Sequence, residues 1–215
     1  MKRRPANAFV LEKRVRAAQN MLFDIYFDRV TAPNGERVER YLVVAPKTRN
    51  KAGITGVAVL PIVNGRYGLL RLYRHPVADD VWEIPRGFMD RGEDARGAAV
   101  RELEEETQLR CRRSQVKSLG MIYPEAGILA ARVQLFAADV ANDAVPKVGA
   151  EFGHREFRLV TGREFERMID AGAIRDPTTL VAYFQYVRQF VRGRADLRRR
   201  LSKNSTRQPK RKRIQ

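Results

Sequence analysis

Cysteine is almost absent from this sequence: Cys111 is the only one among 215 residues. One thiol closes no internal disulfide and builds no cysteine-rich metal site, so a reducing, cytoplasmic setting is expected. Histidine is nearly as scarce. His75 and His154 are the two; they are too few for a histidine-based metal centre, and both read as structural or surface residues. Long apolar runs are missing too. Stretches such as Val57 to Val63 are far too short for a transmembrane segment. The basic N-terminus is not followed by the apolar core of a signal peptide. Residues Arg14 to Tyr26 could instead form a basic amphipathic helix, which leaves an organelle-targeting reading open. The sequence also lacks a P-loop, a paired-glycine dinucleotide loop and a nucleophile elbow.

Acidic residues are the minority, and the formal net charge is +17. The excess sits at the ends. Residues 188–215 carry +11 and residues 1–17 carry +5, which leaves the body near neutral at +1. The basicity therefore says little about the body's chemistry. Three regions follow: a basic N-terminal segment with strands (1–50), a central domain (51–191) and a basic tail (192–215), expected to be disordered from Lys203 onward. The tail's charge suits nonspecific contact with nucleic acid or an anionic surface. No aromatic-rich RNA-binding motif accompanies it.

Along the chain, Met21 to Val30 and Arg40 to Val44 read as strands flanking the turn Ala32-Pro33-Asn34-Gly35. Gly56 to Val63 reads as a buried strand, with Asn64-Gly65 as a hairpin turn and Tyr67 to Tyr73 as its return. A glycine-punctuated loop, Pro85 to Gly92, leads into a helix over about Asp94 to Gln108. Val116 to Met121 and Arg132 to Val140 are further strands. Thr161 with Glu164 forms a capping box, with Gly172 as the stop. Asp176 caps a last helix with Pro177 in its first turn, and Leu180, Val181, Phe184, Val187 and Val191 recur at the spacing of a core face.

The chemistry is concentrated in Gly87 to Leu109, GFMDRGEDARGAAVRELEEETQL. On a helix, Glu102, Glu105 and Glu106 fall broadly on the side that also carries Ala95, Ala98, Ala99 and Leu103. Three carboxylates within one turn repel one another unless a cation lies among them, and all-oxygen donors suit Mg²⁺, with Mn²⁺ as a substitute. Taken alone, Glu104-Glu105-Glu106 is as well read as a solvated acidic face. What precedes it decides between the two. Gly87, five residues, Glu93, seven residues, then Arg101-Glu102-Leu103-Glu104-Glu105-Glu106 resembles the Nudix box, G-x5-E-x7-R-E-U-x-E-E-x-G-U with U aliphatic. Chance would produce such a match in roughly one chain in 10⁵. The one departure is Gln108 in place of the last glycine. If it adopts that glycine's left-handed backbone it costs about 1 kcal/mol.

The resemblance implies an α/β fold, the Nudix α/β/α sandwich with a mixed sheet. It implies divalent-ion ligation by Glu102, Glu105 and Glu106 with the Arg86 carbonyl. It also implies an Arg101–Glu93 pair tying loop to helix, and attack of water on a pyrophosphate phosphorus. It extends roughly from Phe23 to Phe190. Leu72-Tyr73-Arg74-His75-Pro76, Trp82-Glu83-Ile84-Pro85 and Pro124, sixteen residues beyond Gln108, resemble the ADP-ribose and nucleotide-sugar pyrophosphatases. Arg74, Trp82, Glu83 and Arg86 are then substrate-binding candidates. Glu156, or else Glu151, is the candidate for assisting water activation. Members resembling this chain are commonly homodimers whose N-terminal strands contribute to the neighbour's site, a role that Phe23 to Val44 could take here. The expected activity is Mg²⁺-dependent hydrolysis of ADP-ribose to AMP and ribose 5-phosphate. Two alternatives are pyrophosphate removal from RNA 5′ ends or dinucleoside polyphosphate cleavage, and a non-catalytic Nudix-fold binding module. The intact set of box glutamates speaks against the last.

Overall fold

The computed structural model describes residues 8–140 and 153–192. A small antiparallel sheet comes first, formed by β1 (Val10–Gln19), β2 (Phe23–Thr31) and β3 (Arg37–Pro46) in that order. The segment Arg14 to Tyr26, left open to an amphipathic-helix reading, thus divides between two strands. Asn20 explains the break: its side chain accepts the backbone N–H groups of Leu22 and Phe23, fixing a turn in the middle of the segment. The basic residues of β1 then meet acids across the ladder, Arg14 on Asp28 at 2.6 Å and Arg16 on Asp24 at 3.7 Å. The β2–β3 hairpin forms where the sequence indicates.

The large sheet contains β4 (Gly56–Val63), β5 (Arg66–Arg74), β6 (Asp79–Glu83), β7 (Arg86–Phe88), β8 (Val116–Ile122), β9 (Val133–Val140) and β10 (His154–Val160). Its order is β10-β5-β4-β9-β8, with β6 on β5 and β7 on β4. The β4–β9 pair is parallel and the other pairs are antiparallel, so the sheet is mixed. Every residue of β4 is buried, as its unbroken apolar run requires of a central strand covered on both faces. The turn to β5 uses left-handed backbone at Asn64 (φ 51°) and Gly65 (φ 73°).

Helix α1 (Ala95–Thr107) covers one face, and α2 (Gly162–Asp170) and α3 (Pro177–Tyr186) cover the other. Val57, Val59 and Phe136 pack under Ala98, Ala99 and Leu103 of α1. Ala58, Leu60, Leu69 and Ala137 pack under Phe165, Ala182 and Tyr183. The expected three-layer sandwich is the observed fold. The expected core face of the last helix is borne out in part: Leu180, Val181 and Val187 pack against the core. Phe184 and Val191, expected in the core, are 59% and 46% exposed, while Ala182 and Tyr183 point inward. Tyr183 stacks on Phe165 at 4.0 Å and Tyr67 meets both rings edge-on, so aromatic packing sets the rotation of α3.

Candidate active site

The box helix is fixed at both ends. Asp94 caps it by accepting the N–H groups of Arg96 and Gly97, and Gln108 ends it at φ 57°, ψ 11°. Gln108 therefore does adopt the left-handed backbone that glycine would take without strain. Between these ends the small side chains of Ala98 and Ala99 are fully buried, which lets α1 lie close on β4.

Close packing brings the carboxylates to the sheet. Glu102 and Glu106 are 5% and 4% exposed. The Glu102 carboxylate lies directly on the Cα of Gly87; a Cβ at that position would overlap it. The Arg86 backbone N–H donates to Glu106 Oε2 at 3.2 Å. Glu105 points outward, with its side chain 49% exposed. Arg101 joins the loop to the helix as expected: its Nη2 reaches Glu93 at 3.1 Å and the Phe88 carbonyl at 3.0 Å. The same guanidinium reaches further, with Nη1 at 2.7 Å from Glu102 and 2.9 Å from Glu105. Burial opposes its charge, but the hydrogen bonds to Glu93, Glu102 and Glu105 outweigh this and hold its pKa above the ordinary arginine value.

No three His, Cys, Asp or Glu side chains converge as a ready metal cage among the described residues. The donor set nevertheless fits a hard divalent ion. It offers two buried carboxylates, a third one helical turn away and only oxygen ligands. Arg101 now balances Glu102 and Glu105, and an ion held there would share them with it.

Beside the cluster lies a second charged network. Arg74 grips Glu83 through Nε at 3.1 Å and Nη2 at 2.5 Å. Arg86 Nη2 meets the same Glu83 at 2.6 Å, and its Nη1 meets Asp176 at 2.9 Å. The hydrogen bond to Glu83 is the main reason the Arg74 pKa is raised, with Glu106 and Asp176 adding to it. Arg74 and Arg86 stand between two cavities. One, of about 450 Å³, includes Glu83, Arg175 and Asp176 in its lining. The other, of about 360 Å³, is lined by Phe23, Val57, Gly87, Phe88, Pro124 and Leu129 among others. Pro124, singled out by its spacing, is thus part of the wall.

Two predicted residues are not brought here. Trp82 packs against the core cluster that holds Ile84, Ala182 and Tyr183, because alternation along β6 sends Glu83 and not Trp82 to the arginines. Glu156 lies exposed on β10 opposite Arg71. Its neighbours Phe157 and Leu159 turn to the α1 side, and Arg158 pairs with Glu164 of α2, so Glu156 faces away from the box carboxylates. Glu151 and the tail from Lys203 lie outside the described residues.

Two site residues escaped the sequence reading. Asp176 was recognised only as a helix cap. One of its oxygens, Oδ2, does cap α3 through the Thr179 N–H, while Oδ1 holds Arg86. A carboxylate has capacity for both, which was the available signal. His154, read as a structural or surface residue, has a side chain only 2% exposed, with Nε2 3.9 Å from Glu106 Oε1. No spacing rule points to it.

Residues 54–178 match the NUDIX domain family model, and the chain belongs to the Nudix family. A CMP-5'-(N-acetyl-N-hydroxy-3-aminopropyl)phosphonate hydrolase of Streptomyces rubellomurinus is 36% identical over 115 residues, 53% of this chain and 50% of that protein. An ADP-ribose pyrophosphatase of Bacillus subtilis is 29% identical over 119 residues, 55% of this chain and 59% of that protein. The chain thus spans about half the length of these curated relatives. A solved structure of an ADP compounds hydrolase superposes with a TM-score of 0.68 at 17% identity, over 89% of this chain and 98% of that one, and shows the same fold.

Proposed function

We propose that this protein hydrolyses the pyrophosphate bond of a nucleoside diphosphate derivative in a Mg²⁺-dependent reaction, with ADP-ribose, cut to AMP and ribose 5-phosphate, as the first substrate to test. The observation that carries this reading is the placing of Glu102 and Glu106 against Gly87 and Arg86, at the edge of a cavity that Arg74 and Arg86 also line. Buried carboxylates and clustered guanidiniums are what a divalent ion and a pyrophosphate require together. Relatives named ADP-ribose pyrophosphatase in Bacillus subtilis and Saccharomyces cerevisiae support the choice of substrate.

In this account Glu102, Glu105 and Glu106, with the Arg86 carbonyl, hold the ion. When bound, it polarises phosphate oxygens and lowers the pKa of coordinated water. Arg74 and Arg86 bind the diphosphate, and Glu83 and Asp176 fix the planes of their guanidiniums beforehand. The apolar cavity wall takes one arm of the substrate. Strand β1, an edge strand exposed along its whole length, supports a homodimer through the N-terminal sheet.

The test compares wild type and Glu106→Gln on ADP-ribose with and without Mg²⁺. Turnover by wild type only with the ion, and loss in the variant on the order of a hundred-fold or more, is expected. Equal turnover by a correctly folded variant at saturating Mg²⁺ would remove Glu106 from the metal site.

A further inference from the structure

The apolar cavity at the box does not end at its own wall. Pro46, Thr55, Leu129 and Ala131 line it on one side and line a neighbouring cavity of about 590 Å³ on the other. The two hollows are therefore adjoining parts of one groove. Their chemistry differs. The second contains Arg14, Arg49, Arg132 and Tyr123, and among the described residues no acidic side chain is part of its lining. Arg14 is already balanced by a two-point grip on Asp28. Arg49 and Arg132 form no ion pair with any described acid, although most arginines near the site have one. Nearby Glu125 is turned to its own loop, accepting the Gly127 N–H at 3.2 Å.

Arg132 is also held in place. Its backbone N–H donates to Thr55 Oγ1 at 3.0 Å, and its carbonyl accepts from the Thr55 N–H at 2.9 Å. Its guanidinium lies over the Tyr123 ring at 5.8 Å and against Gly53, where a Cβ would come within 3.3 Å of it. Arg49 leads into the short Asn50–Ile54 turn, which the Asn50 side chain fixes by accepting the N–H groups of Ala52 and Ile54. Two arginines on fixed backbone, with no acidic partner among the described residues and facing an open hollow, form a site for an anion. Guanidiniums match the oxygens of a phosphomonoester closely.

We propose that this hollow binds a second phosphate on the nucleoside arm of the substrate, a phosphomonoester on the ribose 2′ or 3′ hydroxyl. The inference rests on the reading of the box as a nucleoside diphosphate hydrolase site. The aromatic and aliphatic wall formed by Phe23, Phe88 and Leu129 suits the base, and Arg49 and Arg132 lie in the adjoining hollow, to the side, toward which a phosphate on the ribose can project. The substrate class is then nucleoside diphosphate conjugates with a third, ribose-borne phosphate, ahead of plain ADP-ribose.

Binding to the full chain without metal tests this separately from catalysis. Calorimetry would compare AMP, adenosine 2′,5′-bisphosphate and adenosine 3′,5′-bisphosphate, which also separates the two positions. At least one bisphosphate is expected to bind about ten-fold or more tighter than AMP. The Arg49→Gln/Arg132→Gln double variant is expected to lose that preference while binding AMP as before. Equal affinity for all three ligands, or a preference that survives in the double variant, would overturn the proposal. A parallel turnover assay on ADP-ribose and its 2′-phosphate separates the two readings. Intact bisphosphate binding with neither compound hydrolysed would sink the proposed reaction and leave the phosphate site standing. Hydrolysis of both at equal kcat/KM, with no binding preference, would do the reverse.

Discussion

Gln108 holds φ 57° at the end of α1, in a conformation that costs a residue with a Cβ about 1 kcal/mol. Gln108→Gly is therefore expected to stabilise the fold by roughly that amount, read as a higher urea midpoint; an unchanged or lower midpoint would show that the strain is relieved elsewhere. Gly87 poses the opposite case. Its Cα is in contact with the Glu102 carboxylate, so Gly87→Ala must push that group aside. A loss of turnover on the order of a hundred-fold with the circular dichroism spectrum retained is expected. Wild-type rates would show that Glu102 needs no such seat. At this scale the box residues were legible because their spacing is a helical period tied to one loop. Trp82 and Glu156 were not. Their assignment depends on which face of a strand they occupy, and alternation gives that only once the covering helices are known.

Among the elements, α1 shows how local chemistry positions the site. Its first turn hangs on Asp94, which Arg113 grips at 2.5 Å and whose oxygen accepts two backbone N–H groups. The hydrogen bond from Arg113, followed by that from Gly97, holds the Asp94 carboxyl below the ordinary carboxylate range. A lowered folded-state pKa means that this contribution is complete above the unfolded value of about 3.9 and fades as pH falls through the folded one. Asp94→Ala should cost about 1 kcal/mol near neutral pH and progressively less below about pH 4. A cost that stays constant down to pH 2 would contradict the cap assignment. Strand β1 marks where the sequence misled. Its basic residues left a helical reading open, but their partners, Asp24 and Asp28, lie on the next strand and meet them only once the hairpin forms. Helix α3 lies where the sequence indicates, and Leu180, Val181 and Val187 do pack on the core, but Phe184 and Val191 turn outward while Tyr183 takes the stack with Phe165.

For the whole molecule, the three-layer architecture could be read in advance only through the resemblance of Gly87 to Leu109 to the Nudix box; the apolar pattern itself indicated the buried strand, its hairpin and the box helix. The groove running past the sheet could not be read in advance, because the N-terminal sheet and the Tyr123–Ala131 loop meet only in space. Val44 exchanges hydrogen bonds with Ile128 and Ala130 there, at 2.8 Å each. The open edge of β1 predicts a second copy of the chain. Analytical ultracentrifugation should give twice the 24.7 kDa chain mass, and a single-chain mass at micromolar concentration would leave β1 without that role. The central claim is tested most directly by identifying the products formed with Mg²⁺ from ADP-ribose, nucleotide sugars, diadenosine polyphosphates and triphosphorylated RNA, each supplied separately. The account predicts AMP and ribose 5-phosphate from ADP-ribose, with little released from the others. Pyrophosphate from RNA alone, or no cleavage of any of them, would contradict it.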